Sequence, residues 1–427
     1  MKSFTLGLIQ SLHPATVKHL NFGHPWITLD GYSQKFPVTP LLYWRDLPRK
    51  KVIIFIKDPS HPTICARKLV ELNVVEFKEW EENSTAALKK YFLNTLKTAF
   101  QKRNKLNLYK QRENEYLFFQ EADGIPALQI LRLGSELLFV FHGSFWENKD
   151  WQSLLLDCYR EVSKPGYLPV DMNHLWIQHR EINPGKQKDS AFPICLGNPD
   201  VGQSKEFFIQ EAGVQMKIAL GSSYDYGIYT DMACVRSDMH QNFSHYWRGA
   251  KVLNLFSYSG IFSFQSIIWE AEQVTSVDNN EKSWKLFEEN KLANNQTDAQ
   301  HEELKLGVFA ALTKLVKEKR TFDVIIVDPP PSFTDLKSKY SVEDFYRKTL
   351  PTLLGLLSPR GLFIGFCNKH KVTWKEFRTL FIESDKSKWK LEKEFQLQDD
   401  CPTIPNYPEG NYLKGVALAV KSEKRVR

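Results

Sequence analysis

The sequence has no C-x-x-C pair. Its six cysteines, Cys65, Cys158, Cys195, Cys234, Cys367 and Cys401, are scattered along 427 residues. That dispersal argues against a zinc knuckle and a disulfide framework, and leaves a reducing cytoplasm as the default setting. Long apolar runs are also missing. The best candidate, VLNLFSYSGIFSFQSIIW, is broken by Asn254, four serines, Gly260 and Gln265, so no membrane span is expected. The first residues, MKSFTLGLIQSLHPATVKHL, carry too short an apolar core for a secretory signal. There is no internal repeat, no low-complexity tract and no glycine-rich phosphate loop. The charge excess is modest, +7 with a pI near 8.8. It fits a polyanionic partner without requiring one.

What is present is a folding chain, with 42% hydrophobic and 25% charged residues. Its length suggests about three domains. Residues 1–90 mix short apolar runs with turns: HPWITLDGY and KKVIIFIKDPSHP read as strands closed by Pro and Gly. Then the period changes. Leu88, Phe92, Leu96 and Phe100 recur every four residues and define one helix face. Lys102, Arg103, Lys105, Lys110 and Arg112 follow as the densest basic run of the front half, either a solvated helix end or a phosphate contact. Asp123-Gly124 signals a hairpin turn, and ELLFVF a buried strand. A small mixed α/β module is expected over 91–190, with a turn-rich exit.

From about residue 205, strands and helices alternate: VLNLF, GIFSFQSIIWEA, VTSVD, NEKSWKLFEENKLANN, FDVIIVD, a helix interrupted or bent at Pro351, LFIGFC, WKEFRTLFIESD and LKGVALAV. The spacing predicts a doubly wound α/β sheet over 191–427. In such sheets ligands gather at the strands' carboxyl ends. The run FDVIIVDPPPSF ends a buried strand at Asp328, and its three prolines stiffen the loop that follows. The turn NLFSYSG holds one glycine, Gly260, where a pyrophosphate would call for several. The next strand ends at Asp278, either a ribose acceptor or a helix N-cap. Together these features suit an adenosine cofactor without phosphates, a description S-adenosylmethionine meets.

The runs VLNLFSYSGIFS, VTSVDNN and FDVIIVDPPPSF resemble a class I S-adenosylmethionine-dependent methyltransferase. More closely, the chain resembles the large-subunit ribosomal RNA cytosine-C5 methyltransferases that carry an N-terminal PUA domain. GHPWI, EADGIPALQI, YDYGIYTDMACVR (with Asp231 and Arg236) and YPEGNYLKG support this over nearly the whole chain, most densely from about 215. The resemblance implies three domains: a small β-rich PUA-like RNA-binding domain (1–90), a small mixed α/β domain (91–190) and a C-terminal doubly wound, Rossmann-like methyltransferase domain (191–427). It implies S-adenosylmethionine as cofactor, with Asn254, Phe256, Tyr258, Gly260, Asp278, Asn279 and Asp328 around it, and no metal. It implies 23S-type ribosomal RNA as partner, and leaves a homodimer open. One departure stands out: Gly307 replaces the acid usual after the third strand, so an adenine contact moves elsewhere, to Asn294, Asn295 or a backbone amide.

Cytosine C5 is a poor nucleophile. A thiolate that adds at C6 makes C5 electron-rich; an acid near N3 offsets the charge, and a base then removes the C5 proton. Cys367 closes the strand next to the Asp328 loop, so the two are able to face one ring. In the resembling enzymes a cysteine and an acid at these places are the nucleophile and the N3 contact; read alone, Cys367 is an ordinary buried cysteine. His370 orients the cofactor or substrate, lowers the thiol pKa, or is a surface residue; Lys369 is a phosphate contact or a surface charge, and Phe333 stacks on a flipped base or packs in the core. Two rivals remain: methylation of guanine N7 or an exocyclic amine, which leaves Cys367 idle, and a non-catalytic RNA-binding assembly factor.

Overall fold

The computed structural model describes residues 4–29, 37–163, 174–180, 192–196, 204–335, 338–382 and 389–420. The chain forms two compact units. One comprises Met1–Glu206, Ala219–Tyr226 and Asp399–Gly410; the other comprises Phe207–Ile218, Gly227–Gln398 and Asn411–Arg427.

The first unit contains two five-stranded sheets. In one, the central strand Lys51–Lys57 buries Val52 to Ile56 between Leu41–Asp46 and Ile64–Asn73. In the other, Leu128–Leu133 and Glu136–Phe141 pair as a hairpin through Gly134. The helix Ser84–Leu106 joins them. Asn83 caps its start, and Leu88, Phe92, Leu96 and Phe100 are all buried along the expected face. Each such side chain contributes about 1.5–3 kcal/mol on burial.

Two sequence expectations change here. Asp123-Gly124 does lie in the connection of the antiparallel pair Asn114–Phe119/Leu128–Leu133, but not as a tight two-residue turn: it ends the single helical turn Gln120–Asp123, with Gly124 left-handed at φ 100°. The basic run is also thinner than its composition suggests. Lys102, Lys105 and Lys110 are exposed, but Arg103 and Arg112 are buried. Arg103 forks onto both oxygens of Asp123 (2.9 and 2.5 Å) and donates to the Asp400 carbonyl (2.9 Å). Arg112 donates to Asp400 Oδ1 (2.7 Å), and the Tyr116 amide to Oδ2 (2.7 Å). Buried charges persist only when paired, so these two arginines hold residues 399–410 in the first unit rather than facing an external phosphate. A second network joins the sheets of this unit: Arg67 pairs with Asp58 (2.8 Å) and Glu121 (2.9 Å), and Trp26 Nε1 also donates to Glu121 (2.8 Å).

The second unit is built on a seven-stranded sheet. Its strands are β1 (Lys251–Leu255), β2 (Gln273–Val277), β3 (His301–Leu304), β4 (Phe322–Val327), β5 (Leu357–Cys367), β6 (Trp389–Phe395) and β7 (Lys414–Val420), in the order β3-β2-β1-β4-β5-β7-β6. The first five are parallel, and β7 runs antiparallel between β5 and β6. The crossover helices are α1 (Ile261–Ile268), α2 (Glu281–Ala293), α3 (Val308–Lys317), α4 (Val342–Gly355) and α5 (Trp374–Ile382). Pro351 lies within α4 on its exposed side without ending it. Strand order reverses at β1, which pairs with β2 on one side and β4 on the other, so the crevice at the carboxyl ends of these strands is the natural ligand site. Among the described residues no helix is long and apolar enough to cross a membrane.

Removing Asp400 would leave Arg112 buried without its carboxylate. Asp400→Ala should therefore destabilise the protein by about 3–5 kcal/mol, read as a lower melting temperature in thermal denaturation. A loss below about 1 kcal/mol would show that the pair contributes little.

Candidate active site

The turn after β1 is tight. Phe256, Tyr258 and Gly260 all have positive φ, at 59°, 47° and 92°. For Phe and Tyr this conformation is strained and must be held by its surroundings. Several hydrogen bonds hold it: Ser257 N–H to Val277 O (3.0 Å), Tyr258 N–H to Asp278 Oδ2 (3.0 Å) and Ser259 Oγ to Gly227 O (2.6 Å). A side chain at Gly260 would drive into the Phe264 and Phe287 rings. Beneath the turn, Asn254 is buried and donates to Ser263 Oγ (2.9 Å), which in turn meets Ser276 Oγ (2.8 Å). Asn254 thus braces the turn from inside. Phe256 packs on Phe333 and Phe345, with ring centres 5.0 and 5.2 Å apart. Phe333 belongs to that aromatic cluster.

Asp278, at the end of β2, accepts from Tyr258 N–H and from Asn280 N–H (2.8 Å). Burial raises its pKa above the usual carboxylate value, and the amides of Asn280, Tyr258 and Asn279 pull against it. The carboxylate both fastens the turn and lies at the crevice; Asn279 beside it is exposed.

The departure at Gly307 has a physical counterpart. Gly307 begins α3, and a Cβ placed on it would lie 2.9 Å from Cγ of Asp335. Asp335 comes from the hairpin Ser332–Asp335/Ser338–Ser341, is buried, and accepts the Phe309 N–H (3.2 Å). Its carboxylate thus occupies the space an acidic side chain at 307 would enter. The alternatives expected from the sequence are not near this crevice. Asn294 sits at the far end of α2, exchanging hydrogen bonds with the Gln215 backbone (2.8 and 2.7 Å), and Asn295 follows it there.

Asp328 and Cys367 close the neighbouring strands β4 and β5, aligned with Val327 opposite Gly365. Tyr346 of α4 is buried between them. Its hydroxyl donates to Phe366 O (2.7 Å) and lies 3.2 Å from Val327 O. Asp328 keeps a narrow solvent path at the crevice floor but is surrounded by protein. Burial first, and the nearby Asp231 carboxylate second, push its pKa up to about 7 against the Arg236 charge. Arg236 is largely committed elsewhere, forked onto Glu211 (2.6 and 2.8 Å). Asp231 accepts the Tyr412 hydroxyl (2.5 Å). Cys367 is fully buried. Burial raises its thiol pKa, opposed by the Lys369 amide and by the charges of Lys414 and Lys369.

A cavity of about 560 Å³ opens between the proline loop and the segment after β5, lined by Pro331, Lys339, Tyr340, Asn368, Lys369 and His370 among others; Cys367 itself packs in the hydrophobic core next to Asn368 and does not line it. Lys369 is paired to Glu343 (2.7 Å), and His370 is exposed. Asp335, Tyr346 and Lys414 were not singled out from sequence. Only Lys414 left a trace there, a lone charge opening the apolar run of β7.

Residues 137–396 match the family model for S-adenosylmethionine-dependent methyltransferases. The chain is 28% identical to YwbD of Bacillus subtilis, named as a ribosomal RNA large subunit methyltransferase, over 78% of this chain and 81% of that one. It is 24% identical to ribosomal RNA large subunit methyltransferase I of Erwinia tasmaniensis, over 80% and 83%. Its fold is that of SMU.776, a methyltransferase by description crystallised with SAH. The two share 22% identity and a TM-score of 0.78, with 97% of this chain and all of that one covered. The crevice is compatible with an uncharged adenosine portion. A single-glycine turn and two carboxylates, Asp278 and Asp335, would repel a pyrophosphate but can accept from hydroxyl and amine groups.

The raised pKa of Asp328 has a stability consequence. The unfolded carboxyl ionises near 3.8 and the folded one near 7, so the folded state binds the extra proton in between. The contribution of this group to stability is fully present below about pH 4 and is lost as pH rises through about 7. Asp328→Asn, always neutral, should be more stable than the parent at pH 8.5 by up to about 4 kcal/mol, with the gap closing toward pH 4. Melting curves across that range test this; a gap independent of pH would refute the buried-acid assignment.

Proposed function

This chain belongs to the S-adenosylmethionine-dependent methyltransferase family, and we propose that it methylates C5 of a cytosine in large-subunit ribosomal RNA through a covalent Cys367 adduct. The observation that carries the reading is the pairing of Asp328 and Cys367 at adjacent strand ends, fixed by one buried phenol. The names of the relatives support the ribosomal RNA. S-adenosylmethionine supplies an electrophilic methyl group. Asn254, Phe256, Tyr258 and Gly260 form its turn, and Asp278 with Asn279 takes the ribose. Asp335, standing in for the acid absent at 307, accepts from the adenine amine.

The Cys367 thiolate forms a bond to C6, and the C5=C6 electrons move to C5. Asp328, protonated near neutral pH, donates to N3 and offsets the charge that builds in the ring. C5 bonds to the methyl group, and its proton passes to Asp231, the carboxylate beside Asp328. The C5=C6 bond re-forms as the sulfur leaves C6. Asn368 lines the cavity with a buried Oδ1 that has no hydrogen-bond donor among the described residues, an acceptor suited to the cytosine N4 amine. Cys367 is fully buried, so the proposed reaction needs the segment 368–371 to shift for a base to reach the thiol. Exposed Lys371 and Lys339 at the same cavity favour a phosphate-bearing substrate.

Two measurements test this. Asp278→Ala and Asp335→Ala should each weaken S-adenosylmethionine binding in calorimetry by about 1–3 kcal/mol; unchanged affinity removes the residue from the site. RNA bearing 5-fluorocytosine should become covalently trapped on the parent protein and not on Cys367→Ala, because fluorine does not leave as a proton does. A Cys367→Ala variant that methylates RNA at the parental rate would instead favour guanine N7 or an exocyclic amine. A protein that binds the cofactor but methylates no RNA would favour a non-catalytic assembly role.

A further inference from the structure

Lys414 opens β7 directly opposite Cys367 in the antiparallel β5–β7 pair. Residues facing each other across such a pair put their side chains on the same side of the sheet, about 4.5–5.5 Å apart at Cβ. Lys414 is only 2% exposed, an unusual place for an ammonium group. A buried lysine is expected to have a carboxylate partner. Here no ion pair to Lys414 forms among the described residues, and its Nζ donates to Tyr412 O (2.8 Å). Burial lowers its pKa, and the group that opposes this is Cys367.

The other charged or titratable groups around the thiol are accounted for. Lys369 is held by Glu343 of α4 in a close pair (2.7 Å). Tyr346 is bound to strand carbonyls, and Asp328 closes β4 as an acid whose pKa is pushed up to about 7. Among the described residues, the buried amine that faces the thiol without a carboxylate partner is that of Lys414.

We propose that Lys414 is the proton acceptor and counter-charge of Cys367. The proton moves from Sγ to Nζ, converting a buried thiol and amine into a thiolate–ammonium pair. No other reactant is needed. The ammonium keeps the proton while sulfur is bonded to C6 and stabilises the thiolate when that bond breaks. Lys414 acts through Cys367 and is a positioning residue. Its place in the methylation cycle rests on the cytosine-C5 reading; the proton transfer itself does not.

The test is the rate of Cys367 alkylation by iodoacetamide as a function of pH, followed by peptide mass spectrometry on the whole protein without RNA. Cys158, also buried with a thiol pKa pushed up to about 12, is the internal reference. In Lys414→Met the Cys367 profile should move to higher pH, with alkylation at pH 7.5 at least about tenfold slower than in the parent, while Cys158 is unchanged. Lys414→Arg, whose guanidinium is always charged and takes no proton, keeps the counter-charge alone and should hold the Cys367 profile at or below the parental pH. S-adenosylmethionine binding identifies folded protein, and Lys414→Gln replaces the Met variant if that one fails to fold. Cys367 profiles that coincide in the parent and the neutral variant overturn the proposal. If the profile shifts but no 5-fluorocytosine adduct forms in the parent, the Lys414–Cys367 pair stands and the cytosine-C5 reading fails.

Discussion

The hydroxyl of Tyr346 reaches the carbonyl oxygens that end two neighbouring parallel strands, and the chemistry of the second unit depends on that contact. The residues that follow those carbonyls are Asp328 and Cys367. A buried phenol left unsatisfied costs about 1–3 kcal/mol, so the tyrosine does not drift from these oxygens cheaply. The same helix carries Phe345, packed against Phe256 in the turn after β1. One element therefore braces the cofactor turn, the acid and the thiol. Their spacing follows from α4 docking on the sheet, not from the loops that carry them.

Around this brace, charge is arranged to keep groups neutral that would be ionised in water. Asp328 retains its proton because it is buried beside a second carboxylate, and Asp231 is held by the Tyr412 hydroxyl. With its pKa near 7, Asp328 is able to donate while a neighbouring carboxylate accepts, the pairing that the proposed chemistry needs. The segment that contributes Tyr412 also contributes Lys414, opposite Cys367. A short stretch leading into the last strand thus supplies partners to both halves of the proposed chemistry. This gives a physical role to the sequence NYLKG, which by itself reads only as a turn entering a strand.

Elements governed by local periodicity were legible in the sequence. FDVIIVD had to be a buried strand ending at an acid, and the spacing of Leu88, Phe92, Leu96 and Phe100 had to be a helix face. Asp278 and Cys367 were legible because they terminate such strands. What was hidden depends on partners distant in the chain. Arg103 and Arg112 belong to a basic run that looks solvated, yet the residue that buries them, Asp400, lies nearly 300 positions on. Composition cannot distinguish a charge facing water from one facing a remote carboxylate. Lys414 was hidden for the same reason: periodicity reports that a strand is buried, not which residue stands across from it.

Gly307 shows how a missing residue can mislead. A glycine where an acid is usual suggests a degenerate pocket, because sequence position is taken to stand for a place in space. Here the two separate. The hairpin after the proline loop brings Asp335 against the start of α3, and a Cβ at 307 would crowd that carboxylate. The two positions cannot both carry acidic side chains without displacing one another, so glycine at 307 is the condition that lets Asp335 approach the helix. A carboxylate stands at the start of α3, supplied by the hairpin and not by position 307. The aromatic packing of Phe309, Phe333 and Tyr340 holds that hairpin in place. The stiffness first noticed in three consecutive prolines therefore extends to the cofactor side of the site, because the hairpin they lead into is anchored at both its aromatic face and its acid.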